Sequence, residues 1–159
     1  MICYFVRHGP AFDPQEWRGS DFDRPLTGKG RERMTRVAKR LAKLGVALDA
    51  IVTSPLVRAR QTASIVGEVL GIAGHVIEDA RLGSGFSAGG LESILREHAG
   101  AEALMLVGHE PAMSASLGRV LGGASLDFKK GAIACVEMTD SEPPSGTLLW
   151  MAPPKLLAE

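Results

Sequence analysis

The feature that most constrains the fold of this chain is the alternation of short apolar runs with longer segments of helical character. Residues 1–6, 48–55 and 103–111 are rich in β-branched, aromatic and other apolar side chains, which are typical of buried strands. A segment that reads as a helix follows the second and third of these runs, and a long loop and a helix follow the first. Strands that alternate with helices through residue 122 predict an α/β fold with a mainly parallel sheet.

The helical segments have recognisable starts, stops and apolar faces. Thr27 can cap a helix over 25–45, Gly45 can end it, and the apolar residues between them follow helical spacing: Met34, Val37, Ala38, Leu41 and Leu44. The segment 56–71 shows the same pattern. We expect two further helices over 91–100 and 112–122.

The C-terminal part departs from this alternation. A weak strand is predicted over 75–79, and two more strands over 132–138 and 147–151, joined by the turn-rich residues 139–146 as a hairpin. The hairpin would add antiparallel strands at one edge of the sheet. Together these elements predict one domain over residues 1–159, a three-layer α/β/α sandwich. Residues 8–25 form a long loop, and loops of this length in compact domains are usually functional or mobile.

Charge and cysteine content narrow the classes of partner. Lys and Arg together number 18, as do Asp and Glu, so the neutral chain offers no electrostatic reason to expect nucleic acid or a membrane surface as a partner. No apolar run approaches the length of a membrane span. Only Cys3 and Cys135 occur, both in strand-like runs, and such usage suits the reducing cytoplasm. We therefore expect a cytoplasmic protein without a leader segment.

Chemically active side chains collect at predicted strand ends. The first strand ends in Arg7 and His8, the strand over 103–111 ends at His109, and Arg58 lies in the first turn after the second strand. Ligands of open α/β sheets bind beyond the carboxyl ends of the strands. Arginine forks match phosphoryl oxygens, and a neutral imidazole is a competent nucleophile near pH 7. The set predicts attack of a histidine on a phosphoryl group.

At these residues the sequence resembles the histidine phosphatase superfamily, also called phosphoglycerate-mutase-like. The resemblance is carried by four motifs in register, which span nearly the whole chain: "RHG" at 7–9, "RPLTGKG" at 24–30, "SPLVRARQTA" at 54–63 and "LVGHEP" at 106–111. A single motif of this kind would be weak, but each of the four falls at a predicted strand end or helix start. The resemblance implies a phosphoglycerate-mutase-like fold.

The resemblance also implies a role for each of the four side chains. His8 would be the nucleophile that becomes phosphorylated, Arg7 and Arg58 would hold the phosphoryl oxygens, and His109 would hydrogen-bond the same group. Phosphoryl transfer needs mainly positioning and electrostatic stabilisation, which agrees with such a set. We expect no cofactor and no metal.

One departure from the family pattern bears on the substrate. Many members carry a glutamate shortly after a leucine that follows the third strand, and it protonates the leaving oxygen. Here Leu82 is followed by Gly83 and Ser84. The imidazole of a phosphohistidine can depart as a neutral group once its ring is protonated, whereas an alkoxide needs a proton from a positioned acid. This absence and the short chain resemble the SixA-type protein phosphohistidine phosphatases, so the expected partner is a histidine-phosphorylated protein.

Several alternatives stay open on the sequence. A carboxyl group among Asp13, Asp21, Asp23 and Glu110 could supply the proton, which would permit a broad-specificity small-molecule phosphomonoesterase. A non-catalytic module that binds a phosphorylated partner belongs to a different class. A metal-dependent hydrolase lacks support, because the chain has none of the spacings H-x-H, H-E-x-x-H or paired cysteines, and two arginines would repel a cation.

Overall fold

The fold is a six-stranded mixed sheet flanked by five helices. The computed structural model describes residues 1–159, except the side chain of Ser141. The strands are β1 (Ile2–Arg7), β2 (Ala50–Thr53), β3 (Val76–Glu78), β4 (Ala103–Gly108), β5 (Ile133–Ser141) and β6 (Pro144–Ala152). The helices are α1 (Gly28–Lys43), α2 (Val57–Val69), α3 (Ala88–Glu97), α4 (Ala112–Val120) and α5 (Pro154–Leu157).

The strand order is β3-β2-β4-β1-β5-β6. The first four strands in this order run parallel, whereas β5 pairs antiparallel with β1 and β6 pairs antiparallel with β5. The predicted parallel sheet with an antiparallel C-terminal edge is therefore confirmed. Its register places Arg7 beside Gly108, so that β1 and β4 end side by side.

Two apolar cores lie on opposite faces of the sheet. Along β1, Cys3 and Phe5 enter the core that α3 and α4 cover, whereas Tyr4 and Val6 enter the core that α1, α2 and α5 cover. This alternation follows from the period of two in a β-strand, and it explains why β1 is apolar throughout. The expected three-layer sandwich is confirmed.

The structure differs from the sequence expectation at two segments. The hairpin strands continue through the turn-rich residues, to Ser141 on one side and from Pro144 on the other. Helix α3 begins at Ala88, before the predicted start at residue 91, because the Ser87 side chain accepts a hydrogen bond from Gly90 N. An N-terminal cap of this kind stabilises a helix start that contains glycine.

The segment between β1 and α1 is irregular, as predicted for residues 8–25. Its ends are tied together by a single antiparallel bridge between Ala11 and Leu26. The loop closes over the carboxyl end of the sheet, where Phe22 O accepts a hydrogen bond from the N–H of Val57 at the start of α2. In the part of the chain that the structure describes, no helix is long and apolar enough to cross a membrane.

Candidate active site

The four side chains predicted from the sequence meet at the carboxyl end of the parallel strands. Arg7 and His8 leave the end of β1, and His8 N donates to Gly108 O at the end of β4 over 3.1 Å. The rings of His8 and His109 lie with their centroids 5.2 Å apart. Arg58, in the first turn of α2, lies close enough to shift the pKa of both histidines. The structure therefore brings all four together.

The His8 ring has a defined tautomer. Its Nδ1 lies 2.7 Å from the carbonyl oxygen of Gly9, and a carbonyl can only accept a hydrogen bond. Nδ1 therefore carries the proton, and Nε2 has a free lone pair. Because the ring is almost fully buried, this bond also fixes its orientation. His8 is set up as a nucleophile at Nε2.

Both histidines are neutral at physiological pH. Burial, assisted by the charges of His109, Arg58 and Arg7, lowers the pKa of His8 to about 3, against the opposing bond to Gly9 O. Burial and the charge of Arg58 lower the pKa of His109 to about 4. Desolvation also lowers the pKa of Arg7 and Arg58, but arginine starts near 12.5, so both guanidinium groups stay charged. Neutral imidazoles thus lie beside two fixed cations.

Three nitrogen atoms at this place have unused hydrogen-bonding capacity. Nε of Arg7, Nε of Arg58 and Nδ1 of His109 are buried and find no partner among the side chains and backbone that the structure describes. Buried polar groups in proteins are almost always hydrogen-bonded, so three exceptions in one place call for a ligand. All three can donate, and two belong to cations. The arrangement therefore suits an anion with several acceptor oxygens.

The long loop is tied to the site through its own charges. Asp21 O accepts from Arg58 Nη1 over 2.8 Å, and Asp21 Oδ2 accepts from Arg58 Nη2 over 3.1 Å. Buried Arg24 donates from Nε to Asp21 Oδ1 and from Nη1 to Phe12 O. Arg24 therefore orients the loop. Asp21 links Arg24 to Arg58.

Two positioning residues escaped the sequence analysis. Thr62 Oγ1 accepts from Gly9 N over 3.0 Å and donates to Arg58 O, and Gln61 Oε1 accepts from Leu26 N over 2.8 Å. Helix α2 thus holds the segments on both sides of the long loop. The i,i+4 spacing places Thr62 on the same helical face as Arg58. This spacing could have indicated from the sequence that Thr62 lies near the site.

The four candidate proton donors have other hydrogen bonds. Glu110 accepts from Ser114 N and Ser114 Oγ through its two carboxyl oxygens, at 2.8 and 2.6 Å. Asp13 accepts from Gln15 N, and Asp23 accepts from Ser20 Oγ.

Asp21 is held in its ionised form. Partial desolvation opposes the shift, but the hydrogen bond from Arg24 and the charge of Arg58 lower the pKa of Asp21 below its ordinary value. An ionised carboxylate cannot donate a proton at neutral pH.

The described side chains offer no arrangement suited to binding a metal ion. Among the described side chains, no group of three or more His, Cys, Asp or Glu residues could hold a metal ion. Around His8 the charged neighbours are arginines, which favour an anion over a cation.

Comparison with known proteins gives a consistent family. The model of the histidine phosphatase superfamily (branch 1) matches residues 3–83. An uncharacterized protein of Picosynechococcus sp. (strain ATCC 27264 / PCC 7002 / PR-6) is 43% identical over 113 residues, which are 70% of this chain and 67% of that protein. A probable phosphoglycerate mutase, GpmB, of Serratia proteamaculans (strain 568) is 38% identical over 87 residues. That match covers 52% of this chain and 37% of GpmB, so the chain spans little more than a third of this relative.

Solved structures extend the likeness to the whole fold. The protein histidine phosphatase SixA, complexed with tungstate, superposes with a TM-score of 0.88 and 26% identity over 99% of each chain. A putative alpha-ribazole-5'-P phosphatase from Escherichia coli str. K-12 substr. MG1655 has a TM-score of 0.75 and 18% identity, over 97% of this chain and 98% of that one. The second likeness concerns the fold alone.

Proposed function

Because the chain belongs to branch 1 of the histidine phosphatase superfamily, we propose that it is a metal-independent phosphatase that forms a phosphohistidine intermediate on His8. One observation carries the proposal: the buried nitrogens of Arg7, Arg58 and His109 lack partners beside a histidine whose Nε2 has a free lone pair. A phosphoryl group supplies oxygens that can accept hydrogen bonds from Arg7, Arg58 and His109. It also supplies the phosphorus atom that His8 Nε2 can attack.

In the first step, the lone pair of His8 Nε2 attacks phosphorus. The P–N bond to the enzyme forms as the bond to the leaving group breaks, and the leaving group takes the bonding electrons. Arg7 and Arg58 hold the equatorial oxygens, and His109 donates from Nδ1. Donors that are already in place cost no reorganisation when charge develops, and removal of one costs about 10²- to 10³-fold in kcat.

In the second step, water attacks the phosphohistidine. The new P–O bond forms, the P–N bond breaks, and its electrons return to Nε2, so that inorganic phosphate leaves and neutral His8 is restored. The bond from Nδ1–H to Gly9 O keeps the ring in one tautomer through both steps. No metal ion is needed, because the two guanidinium groups neutralise the phosphoryl charge.

The proposed substrate is phosphohistidine on a protein. Its imidazole can leave as a neutral group once its second nitrogen is protonated by solvent, so a site without a general acid suffices. Gly83 and Ser84 follow Leu82, where the family resemblance implies a glutamate in many members. Asp21 is ionised, and Glu110 is engaged with Ser114, which supports the same preference.

A small-molecule phosphomonoesterase is the second candidate. It is favoured by the names of two similar proteins, a probable phosphoglycerate mutase and a putative alpha-ribazole-5'-P phosphatase. The two functions differ in the leaving group. An alkoxide must be protonated by a positioned acid as it departs, whereas the imidazole takes its proton from solvent before the P–N bond breaks.

The test compares release of phosphate from a histidine-phosphorylated carrier protein with release from alkyl and sugar monophosphates, in EDTA throughout. We expect turnover of the carrier and at least about 100-fold slower turnover of the esters, the range that general acid catalysis contributes. Comparable turnover of the esters would favour the phosphomonoesterase, and loss of all activity in EDTA would overturn the metal-independent mechanism.

The nucleophile is tested separately. Brief reaction with ³²P-labelled substrate and acid-free denaturation should leave label on His8, and His8→Ala should remove the label and lower kcat by at least about 10⁴-fold. A stable complex without any labelled intermediate would instead indicate a module that only binds phosphorylated partners.

A further inference from the structure

A cleft of about 740 Å³ opens beside Arg7. We call it the basic cleft, because its cationic side chains come from four parts of the chain: Arg7, Arg33 of α1, Lys129 and Lys130 of the segment before β5, and Lys155 of α5. One acidic residue, Asp127, is among its lining residues. The cleft therefore concentrates positive charge in a chain whose charges balance overall.

Most of this charge is not used by the fold. Lys129 pairs with Asp127 over 2.9 Å, but both side chains are largely exposed, so the pair contributes little to stability. Arg33, Lys130 and Lys155 are exposed and form no ion pair with any side chain that the structure describes. These four positive charges contribute little to the stability of the fold. They surround an open cleft and are therefore available to a partner.

The floor of the cleft is apolar. Whereas the lysines and Arg33 are exposed, the apolar lining residues are buried or half-buried: Pro10, Ala132, Met151, Pro153 and Pro154. An apolar floor inside a cationic rim fits a segment that offers apolar contact in the middle and carboxylates at the sides. Lysines on long flexible stems attract such a segment but do not converge on one point, as the few polar groups of a small-molecule pocket do.

We propose that the basic cleft docks an acidic segment of the protein that carries the phosphohistidine. This inference rests on the proposed function. Arg7 belongs to both places: it is one of the residues that line the cleft, and its Nε is one of the partnerless nitrogens beside His8. A segment seated in the cleft is therefore adjacent to the phosphoryl group, and acidic residues flanking the phosphohistidine determine which proteins are dephosphorylated.

The test uses two synthetic phosphohistidine peptides that differ only in four flanking residues, glutamates in one and glutamines in the other. The cleft variant is Lys130→Glu with Lys155→Glu. The matched control is Lys39→Glu with Lys43→Glu, which makes the same change of charge on exposed residues of α1. Lys43 lies ten residues beyond Arg33, about 15 Å along the helix.

For the wild-type protein, kcat/KM should be about 10-fold higher with the glutamate peptide, and this preference should fall as salt is raised. In the cleft variant the preference should disappear or reverse, through KM, whereas the control should keep it. Equal loss of preference in both variants would overturn the proposal, because net charge and not the cleft would then select the peptide. Absence of any preference in the wild type would overturn it as well.

Binding separates this inference from the proposed function. In the His8→Ala background, fluorescence anisotropy measures peptide affinity without turnover. Tighter binding of the glutamate peptide that is lost in the cleft variant supports the docking site, even if turnover of phosphohistidine fails. Turnover of both peptides with equal affinity supports the phosphatase and overturns the docking site. If the cleft variant slows hydrolysis of free phosphohistidine as much as that of the peptide, the lysines serve the phosphoryl group and docking is refuted.

Discussion

The hydroxyl of Ser54 lies 2.7 Å from Nε2 of His109. Ser54 is fully buried, and its Oγ also accepts from Leu56 N over 3.2 Å. Among the described groups, Nε2 is the acceptor within reach of the hydroxyl proton, so Ser54 donates to it. The ring proton of His109 is then on Nδ1, the buried nitrogen without a partner. Ser54 therefore sets the tautomer of His109 that the proposed mechanism requires, with a donor at Nδ1.

Ser54→Ala should lower kcat by about 10-fold or more with little change in KM, because a histidine in the wrong tautomer cannot donate in the transition state. ¹⁵N chemical shifts of the His109 ring should show loss of the single Nδ1–H tautomer. A purely structural role would lower thermal stability and leave the ring tautomer as it is in the wild type.

Removal of the Glu110 carboxyl group, next to His109 in the sequence, should have little effect on phosphohistidine turnover. Glu110→Gln should change kcat by less than about fivefold, since a carboxyl group engaged with Ser114 does not supply the 10²- to 10⁴-fold of general acid catalysis. The paired measurement uses a sugar monophosphate. A 100-fold loss with either substrate would identify a proton donor.

The pH profile should lack an acid limb near the ordinary pKa of histidine. His8 must be neutral to attack, and burial holds its pKa at about 3. We expect kcat/KM for a peptide phosphohistidine, corrected for spontaneous hydrolysis, not to fall from pH 7 to 5, because protonation of the substrate's second ring nitrogen in this range favours its departure. A fall in kcat/KM with a midpoint near 6.5 would show that the nucleophile is exposed to water.

The free energy of unfolding should decrease as the pH falls from 7 to 5. The unfolded His8 binds a proton below about pH 6.5, whereas the folded residue does so only near pH 3, so the unfolded state gains protons first as the pH falls. The wild type should therefore lose about 1–2 kcal/mol between pH 7 and 5 that His8→Gln does not lose. Urea denaturation of both proteins at the two pH values measures this difference. Parallel losses would contradict the lowered pKa.

Close packing of α1 against the loop after β1 explains one glycine of the "TGKG" motif. A Cβ on Gly30 would lie 2.0 Å from the carbonyl oxygen of Pro10, and that oxygen accepts from Thr27 N. Gly30→Ala should cost about 1–3 kcal/mol of stability and lower kcat, because Pro10 must move and it adjoins Gly9.

Gly28→Ala is the matched control, in the same turn of α1, since a Cβ there meets nothing within 4 Å. It should be neutral or slightly stabilising, as expected for replacement of an exposed helical glycine. Equal effects of the two substitutions in thermal and urea denaturation would refute the packing explanation.

Local patterns in the chain were enough to predict the layers and the strand directions. Continuous apolar runs such as β1 can only be buried on both faces, and the capped, periodic segment around Thr27 can only be a helix. The alternation of the two then requires crossovers and a parallel sheet. The start of α3 was missed because Gly89 and Gly90 are poor helix formers, and the cap at Ser87 overrides their preference.

The sequence by itself determined which side chains stand at strand ends, namely Arg7, His8 and His109, because that depends on local pattern. Tertiary structure alone decided their chemical states: the free lone pair on Nε2 of His8 depends on one backbone carbonyl, and the tautomer of His109 depends on a serine 55 positions away. The basic cleft likewise joins distant segments of the chain. Hydrogen bonds, burial and charge act through space over a few ångströms, and sequence spacing does not encode such distances.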